Sequence, residues 1–278
     1  MCKFGALGHN NNCLPLASMS FGICLYSCIP AKKEASHSSE MVTQLLFGER
    51  YKIVKQEGDW IEILTSSDSY SCFIHAKQHQ AMSEKEHAEL EKHPKVYVRD
   101  VVQTIFSKTD HAHFPVTIGS QLPHFKNGEF SIGNRAYHYD GSLTYSNDKK
   151  TAKEVLDTAY LFLHAPYLWG GRSPFGIDCS GFTQLVLKLN GYALPRDAYQ
   201  QVELGKPLGF VEEAEAGDLA FFDNEEGRIV HVGILLNNHE IIHASGSVRI
   251  DKFDHYGIFN QQQNRGYTHT LRVIKRLL

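Results

Sequence analysis

The chain reads as an α+β protein: small β-rich units come first, and a larger unit follows in which helices precede an antiparallel sheet. Three observations predict this. Residues 19–80 hold short strand-like runs separated by Gly-Asp and Gly-Glu turns. Helical spacing of apolar residues is concentrated after Asn147. Beyond Gly217-Asp218 the pattern returns to alternation and stays there.

In order, residues 1–18 read as an N-terminal extension and Ser20–Cys28 as a strand-like run. Ser38–Leu46, Arg50–Gln56, Trp60–Leu64 and Tyr70–His75 alternate between turns at Gly48-Glu49 and Gly58-Asp59, so residues 19–80 predict a small β-barrel. Ser83–Lys92 is a charged helix within a linker at 81–95, with Ser83 and Glu86 spaced as a capping box and Pro94 as its stop. Residues 96–146 form a second small β-rich unit, a candidate second barrel, with short apolar runs at Val96–Val102, Val116–Ile118, Phe130–Ile132 and Ala136–Tyr139. The last unit, 147–278, opens with a helix over Lys149–His164 and a second over Ser180–Asn190 that stops at Gly191. Strands at Leu219–Phe222, Ile229–Leu236, Glu240–Ala244 and Val248–Phe253 complete it.

Composition narrows the function. A net charge of −3 gives no basic footprint for nucleic acid, and no run approaches the ~18 apolar residues of a membrane span. Leu25-Tyr26-Ser27-Cys28 faintly resembles a lipoprotein cleavage site, but no continuous apolar region precedes it. The expectation is a cytoplasmic protein, with an exported lipoprotein as the alternative. Five of the six cysteines lie within the first 72 residues; Cys24 and Cys28, on one strand, would share a face as small core residues. Only Cys179 lies further on.

Cys179 carries the chemistry. In Gly176-Ile177-Asp178-Cys179-Ser180-Gly181-Phe182 it sits at the mouth of a helix, where free backbone N–H groups and the helix dipole favour a thiolate. That placement lowers a thiol pKa and offers donors to a developing oxyanion. A buried structural cysteine is the competing reading of this segment alone. The histidines tip the balance. Ile229–Ile234 alternates, and after a three-residue turn at Asn237-Asn238-His239 the chain returns through His243, so His231 and His243 share a face as direct or diagonal neighbours. A base oriented by a second polar group is what nucleophile activation needs. Zinc held by His231, His243, Asp178 and Cys179 is the rival chemistry, but no tight ligand pair supports it, so no metal and no cofactor are expected.

These residues resemble the NlpC family of cell-wall cysteine peptidases, which have a papain-like core. The shared segments are the aromatic-Gly-Gly lead-in at Tyr167–Gly171, Asp178-Cys179-Ser180-Gly181, Pro195-Arg196-Asp197, Ala216-Gly217-Asp218-Leu219, His231-Val232-Gly233-Ile234 and Ile242-His243-Ala244-Ser245-Gly246. The resemblance implies Cys179 as nucleophile, His231 as base and His243 as its polar partner. Ser39–Glu49 and Gly58-Asp59-Trp60 resemble the bacterial SH3-like domains of one branch, the γ-D-glutamyl-L-diamino-acid endopeptidases, or dipeptidyl-peptidase VI. That branch implies cleavage of peptidoglycan stem peptides bearing a free N-terminal L-Ala, with the SH3-like module walling off the cleft. A free ammonium needs a carboxylate; Asp178 is the first candidate, with helix capping as its other role, and Asp197 is the second. Tyr167 and Trp169 are candidate cleft walls, and Ser180 a candidate donor to substrate backbone. Two departures touch these contacts: Ala198 stands where a small hydroxyl residue is common, and Cys72-Phe73-Ile74 replaces a Gly-Trp-Ile edge.

Overall fold

The computed structural model describes residues 20–260 and 266–278. The extension at 1–18, with Cys2 and Cys13, lies outside them. The front unit is a seven-stranded antiparallel sheet in the spatial order Met41–Leu46, Cys28–Lys32, Ser71–His75, Trp60–Thr65, Arg50–Glu57, Phe21–Ile23, Gln80–Met82. Alternation does its work here: along Trp60–Thr65 every second side chain (Ile61, Ile63, Thr65) is buried. Ile29, Leu45, Tyr51, Ile61, Ile63 and Ile74 fill the interior. The run Ser20–Cys28 is not one strand. It breaks after Ile23; Cys24 lies in the break and Cys28 opens the next strand, so they do not share a strand face. Both are free thiols, Cys24 fully buried.

Helix α1 (Glu84–Glu91) starts at Ser83, whose hydroxyl accepts the Glu86 N–H at 3.2 Å. A four-stranded sheet follows in the order Ala112–Thr117, Val102–Ser107, Arg135–His138, Glu129–Ile132, with Val96–Val98 paired separately to Leu143–Tyr145. The expected strand Val96–Val102 is thus two strands. The interior of this unit, Val98, Ile105, Val116, Phe130 and Tyr137, is continuous with Phe47, Met82 and Leu90, so it leans on the front barrel and on α1.

The third unit holds α2 (Ala152–Tyr160), a hairpin of Arg172–Ser173 with Gly176–Ile177, α3 (Cys179–Leu189) and the short α4 (Ala198–Gln201). Thr151 and Glu154 close a capping box on α2. Its sheet runs Lys206–Pro207, Gly266–Arg276, Leu219–Asp223, Ile229–Asn237, Glu240–Ser245, Ser247–Asp254, Gly257–Asn260, and closes because Gly257–Asn260 also pairs with Gly266–Arg276. The strand Gly266–Arg276 carries only one fully buried residue, Ile274, and so lacks the apolar alternation that reveals the other strands. α3 is apolar almost all round and buried among α2, the sheet and the front barrel, with Leu46, Tyr97 and Ile118 of the first two units in the same cluster as Phe182, Leu185 and Leu189. This is a papain-like domain with an SH3-like barrel packed against α3.

Candidate active site

Asp178 caps α3, its Oδ1 accepting the Gly181 N–H at 2.7 Å, and Cys179 is the first helical residue. The lead-in must turn sharply to reach this point. Gly170 has φ +75°, and a Cβ there would stand 2.4 Å from the Met41 carbonyl oxygen of the barrel's edge strand, so only glycine fits. Its N–H donates to Asp178 Oδ2 at 2.8 Å. Arg196 closes the arrangement with a two-pronged ion pair to Asp178 (Nη1–Oδ1 3.0 Å, Nη2–Oδ2 2.5 Å), while Nη1 also reaches Ser180 Oγ at 2.9 Å and Nε reaches Thr43 of the barrel at 3.1 Å. Both Asp178 oxygens are therefore engaged by guanidinium and backbone donors. The sequence assigns Arg196 no role of its own, because its place beside Asp197 carries no sign that it turns inward.

The barrel fixes the same hairpin from below. Arg172 donates through its backbone N–H to Gln44 Oε1 (2.7 Å), and through its guanidinium to Gln44 O (2.7 Å) and to Glu49 (2.8 and 3.0 Å). Lys188 of α3 joins Glu49 at 2.7 Å. Although burial acts to raise the Glu49 carboxyl, the two cations hold it well below the usual carboxylate range.

Across from α3, His231 Nε2 lies 2.8 Å from His243 Nδ1, and His243 Nε2 lies 3.0 Å from Asp251 Oδ2. The register pairs Gly233 with His243, so the two histidines are diagonal neighbours. The connection is a two-residue turn between Asn237 and Glu240, not the expected three-residue one, and a bulge between Leu235 and Asn237 restores the parity. Gly233 is what lets His243 cross over: a Cβ there would meet His243 Cβ at 2.8 Å. His269, from the strand that alternation missed, lies against His231 with ring centroids 4.2 Å apart and a 30° tilt. Burial first, then the neighbouring histidines and Arg249, pushes His231 well below its ordinary pKa, and burial lowers His243 as well. Burial and His243 bring His269 down to about 4.

The backbone N–H of Val232, the neighbour of His231 in sequence, acts on the Cys179 thiol. Burial and the Asp178 carboxylate push this thiol up to about 12, against the opposing pull of the Val232 and Ser180 N–H groups and of Arg196. The expectation of a lowered thiol pKa is thus corrected: burial and the Asp178 carboxylate outweigh the N–H groups and Arg196. Among the described residues no group of three or more His, Cys, Asp or Glu side chains is placed to hold a metal ion.

In front of Cys179 opens a cavity of about 610 Å³. Tyr167, Trp169, Asp178, Ser180 and Asp197 all line it, and so do Glu40, Val42, Tyr70 and Ser71 of the barrel. The barrel residues carry no local sequence signal for this role; only docking brings them here. Trp169, 58 % exposed, donates from Nε1 to Glu40 Oε1 at 2.6 Å. Tyr70 donates to Asp197 Oδ1 at 3.4 Å. Asp197 has no ion-pair partner among the described residues, and its carboxyl is raised, mainly by burial.

A cysteine at a helix mouth, facing histidines on a closed antiparallel sheet, defines a papain-like cysteine peptidase. Residues 164–270 match the NlpC/P60 family model and residues 33–78 the bacterial dipeptidyl-peptidase Sh3 domain. The chain is 31% identical over 217 residues to the gamma-D-glutamyl-L-lysine dipeptidyl-peptidase of Bacillus subtilis (strain 168), covering 73% of this chain and 71% of that one. It is 28% identical over 236 residues to the protein of the same name from Bacillus cereus (strain ATCC 10987 / NRS 248), covering 77% and 70%. In fold it resembles the crystal structure of an NlpC/P60 family protein from Bacillus cereus ATCC 10987, at a TM-score of 0.78 and 22% identity over 92% of this chain and 99% of that one. This chain belongs to the NlpC/P60 family and is a cell-wall cysteine peptidase.

Proposed function

We propose that the chain hydrolyses the γ-D-glutamyl–diamino-acid amide of short peptidoglycan stem peptides that carry a free N-terminal L-Ala. The observation that supports this most is the cavity before Cys179, which the barrel walls with Glu40, Val42, Tyr70 and Ser71. A walled cavity suits a short peptide end rather than a continuous polymer. Asp178 already satisfies both oxygens within the protein, whereas Asp197 lines the cavity without an ion-pair partner among the described residues. Asp197, with the Tyr70 hydroxyl and Glu40, is therefore the carboxylate we assign to the substrate ammonium, and Asp178 caps the helix and anchors Arg196. The names of the two Bacillus relatives agree with this substrate class.

In this reading the Cys179 thiol and His231 are both neutral at rest, and the proton moves as the carbonyl arrives. The sulfur attacks the γ-carbonyl carbon while its proton passes to His231, and N–H groups at the start of α3 hold the oxyanion. The C–N bond breaks as His231 returns the proton to the departing amine, leaving a thioester on Cys179. Water, giving a proton to His231, then releases L-Ala-γ-D-Glu and the free thiol. Mass spectrometry of L-Ala-γ-D-Glu-diamino-acid and its N-acetylated copy tests the proposal. Wild type should release the dipeptide from the free tripeptide only, and Cys179→Ala from neither. Equal rates on both peptides would refute the role of the free amine.

A further inference from the structure

We infer that Asp251, steadied by Arg249, is a positioning residue that sets the proton arrangement of both histidines and thereby leaves His231 able to act as a base. This rests on the reading of His231 as the proton acceptor for Cys179.

Asp251 lies on Ser247–Asp254, the strand next to that of His243, with Arg249 directly opposite His243 in the register. Its side chain is 2 % exposed, and one oxygen, Oδ2, takes two donors: His243 Nε2 at 3.0 Å and Arg249 Nε at 2.8 Å. Arg249 is tied in turn to the Ser245 carbonyl through Nη1. Burial acts to raise the Asp251 carboxyl, but the hydrogen bonds from His243 and Arg249 hold it below its ordinary range.

An ionised carboxylate can only accept a hydrogen bond. The proton in the 3.0 Å contact therefore sits on His243 Nε2. A neutral imidazole carries one N–H, so His243 Nδ1 must be an acceptor. Its partner at 2.8 Å, His231 Nε2, must then be the donor. That places the one proton of neutral His231 on Nε2 and leaves Nδ1 with an unshared pair. Without Asp251 the opposite arrangement opens: His243 donates from Nδ1 to His231 Nε2, His231 carries its proton on Nδ1, and it cannot take one from the thiol. Both arrangements use the same ring positions, for which Gly233 leaves room beside His243 and His269 lies against His231. Asp251 thus acts on the protons and not on the fold of the strand.

Long-range ¹H–¹⁵N correlation spectra of the full chain, with His231, His243 and His269 assigned by substitution, read the tautomers directly. Wild type should show both His231 and His243 protonated on Nε2. Asp251→Ala should move proton density to Nδ1 and lower kcat by at least about 10²-fold, since a wrong histidine tautomer costs about 10⁴-fold in serine proteases. Asp251→Asn keeps a carbonyl oxygen that both donors can share and should retain the Nε2 tautomers and activity within about tenfold, typical of a weakened but intact hydrogen bond. A wild-type His243 protonated on Nδ1 would overturn the proposal, as would Asp251→Ala with unchanged tautomers and turnover. If Asp251→Ala fails to fold, the wild-type spectrum and Asp251→Asn still decide. Failure of the wild type to cleave any stem peptide would count against the proposed function and leave the tautomer assignment standing.

Discussion

Glu49 of the barrel faces Arg172 at 2.8 Å and Lys188 at 2.7 Å, and all three side chains are at most 10 % exposed. Removing the carboxylate by Glu49→Ala leaves two buried cations with no counter-charge. Breaking one buried pair in this way costs about 3–5 kcal/mol. Against a typical total of about 5–15 kcal/mol, that is a large share of the stability. The loss should also reach the chemistry, because Arg172 begins the hairpin that delivers Asp178 and Cys179, and Lys188 lies on α3. Urea unfolding should show a midpoint lowered by about 1–2 M for an m value near ~3 kcal/mol/M. Peptidase activity should fall in parallel, even at urea concentrations where the sheet signal is intact. Replacing the whole cluster, Glu49→Met with Arg172→Met and Lys188→Met, should recover most of the stability, since apolar groups need no partner. A Glu49→Ala variant within about 1 kcal/mol of wild type, the scale of an exposed pair, would show that the triad does not hold barrel and catalytic domain together.

Acid should weaken the fold through its buried histidines. His231, His243 and His269 all have lowered pKa values in the folded chain, so below about 6.5 the unfolded chain binds protons that the native state refuses, and stability falls with pH. Each contributes up to about 1.4 kcal/mol per pH unit, His269 down to about pH 4; urea midpoints that stay flat from pH 7.5 to 5 would contradict this. Iodoacetamide should modify Cys179 slowly at neutral pH, with the rate still rising beyond the ~8.5 of a free thiol; a plateau below pH 8 would mean a preformed thiolate. Gly233→Ala brings a methyl group within 2.8 Å of His243 Cβ and should displace that ring, lowering kcat by about 10²-fold as for other ~1 Å misplacements. Full activity in that variant would show that the 2.8 Å bond between the histidines is dispensable.

Local sequence determined a good deal of this molecule. Capping residues announced helices, as Ser83 does for α1 and Asp178 does for α3. Alternation puts His231 and His243 on one face only with an odd turn; the structure reaches that face, and the 2.8 Å contact, by a two-residue turn and a bulge. These features depend on neighbours within a few positions, and backbone geometry enforces them. Gly266–Arg276 escaped notice because its side chains are mostly half-exposed, so ladder pairing rather than a buried apolar face makes it a strand. The rest was decided only when the units docked. Cys179 loses its expected acidity because packing removes it from water, a cost no local pattern reports. Asp178 is claimed by Arg196 from 18 residues away, Asp197 is left facing the cavity, and Tyr70 arrives from 127 residues earlier. Charges and cavities depend on which distant groups share a space, and that is a property of the folded chain alone.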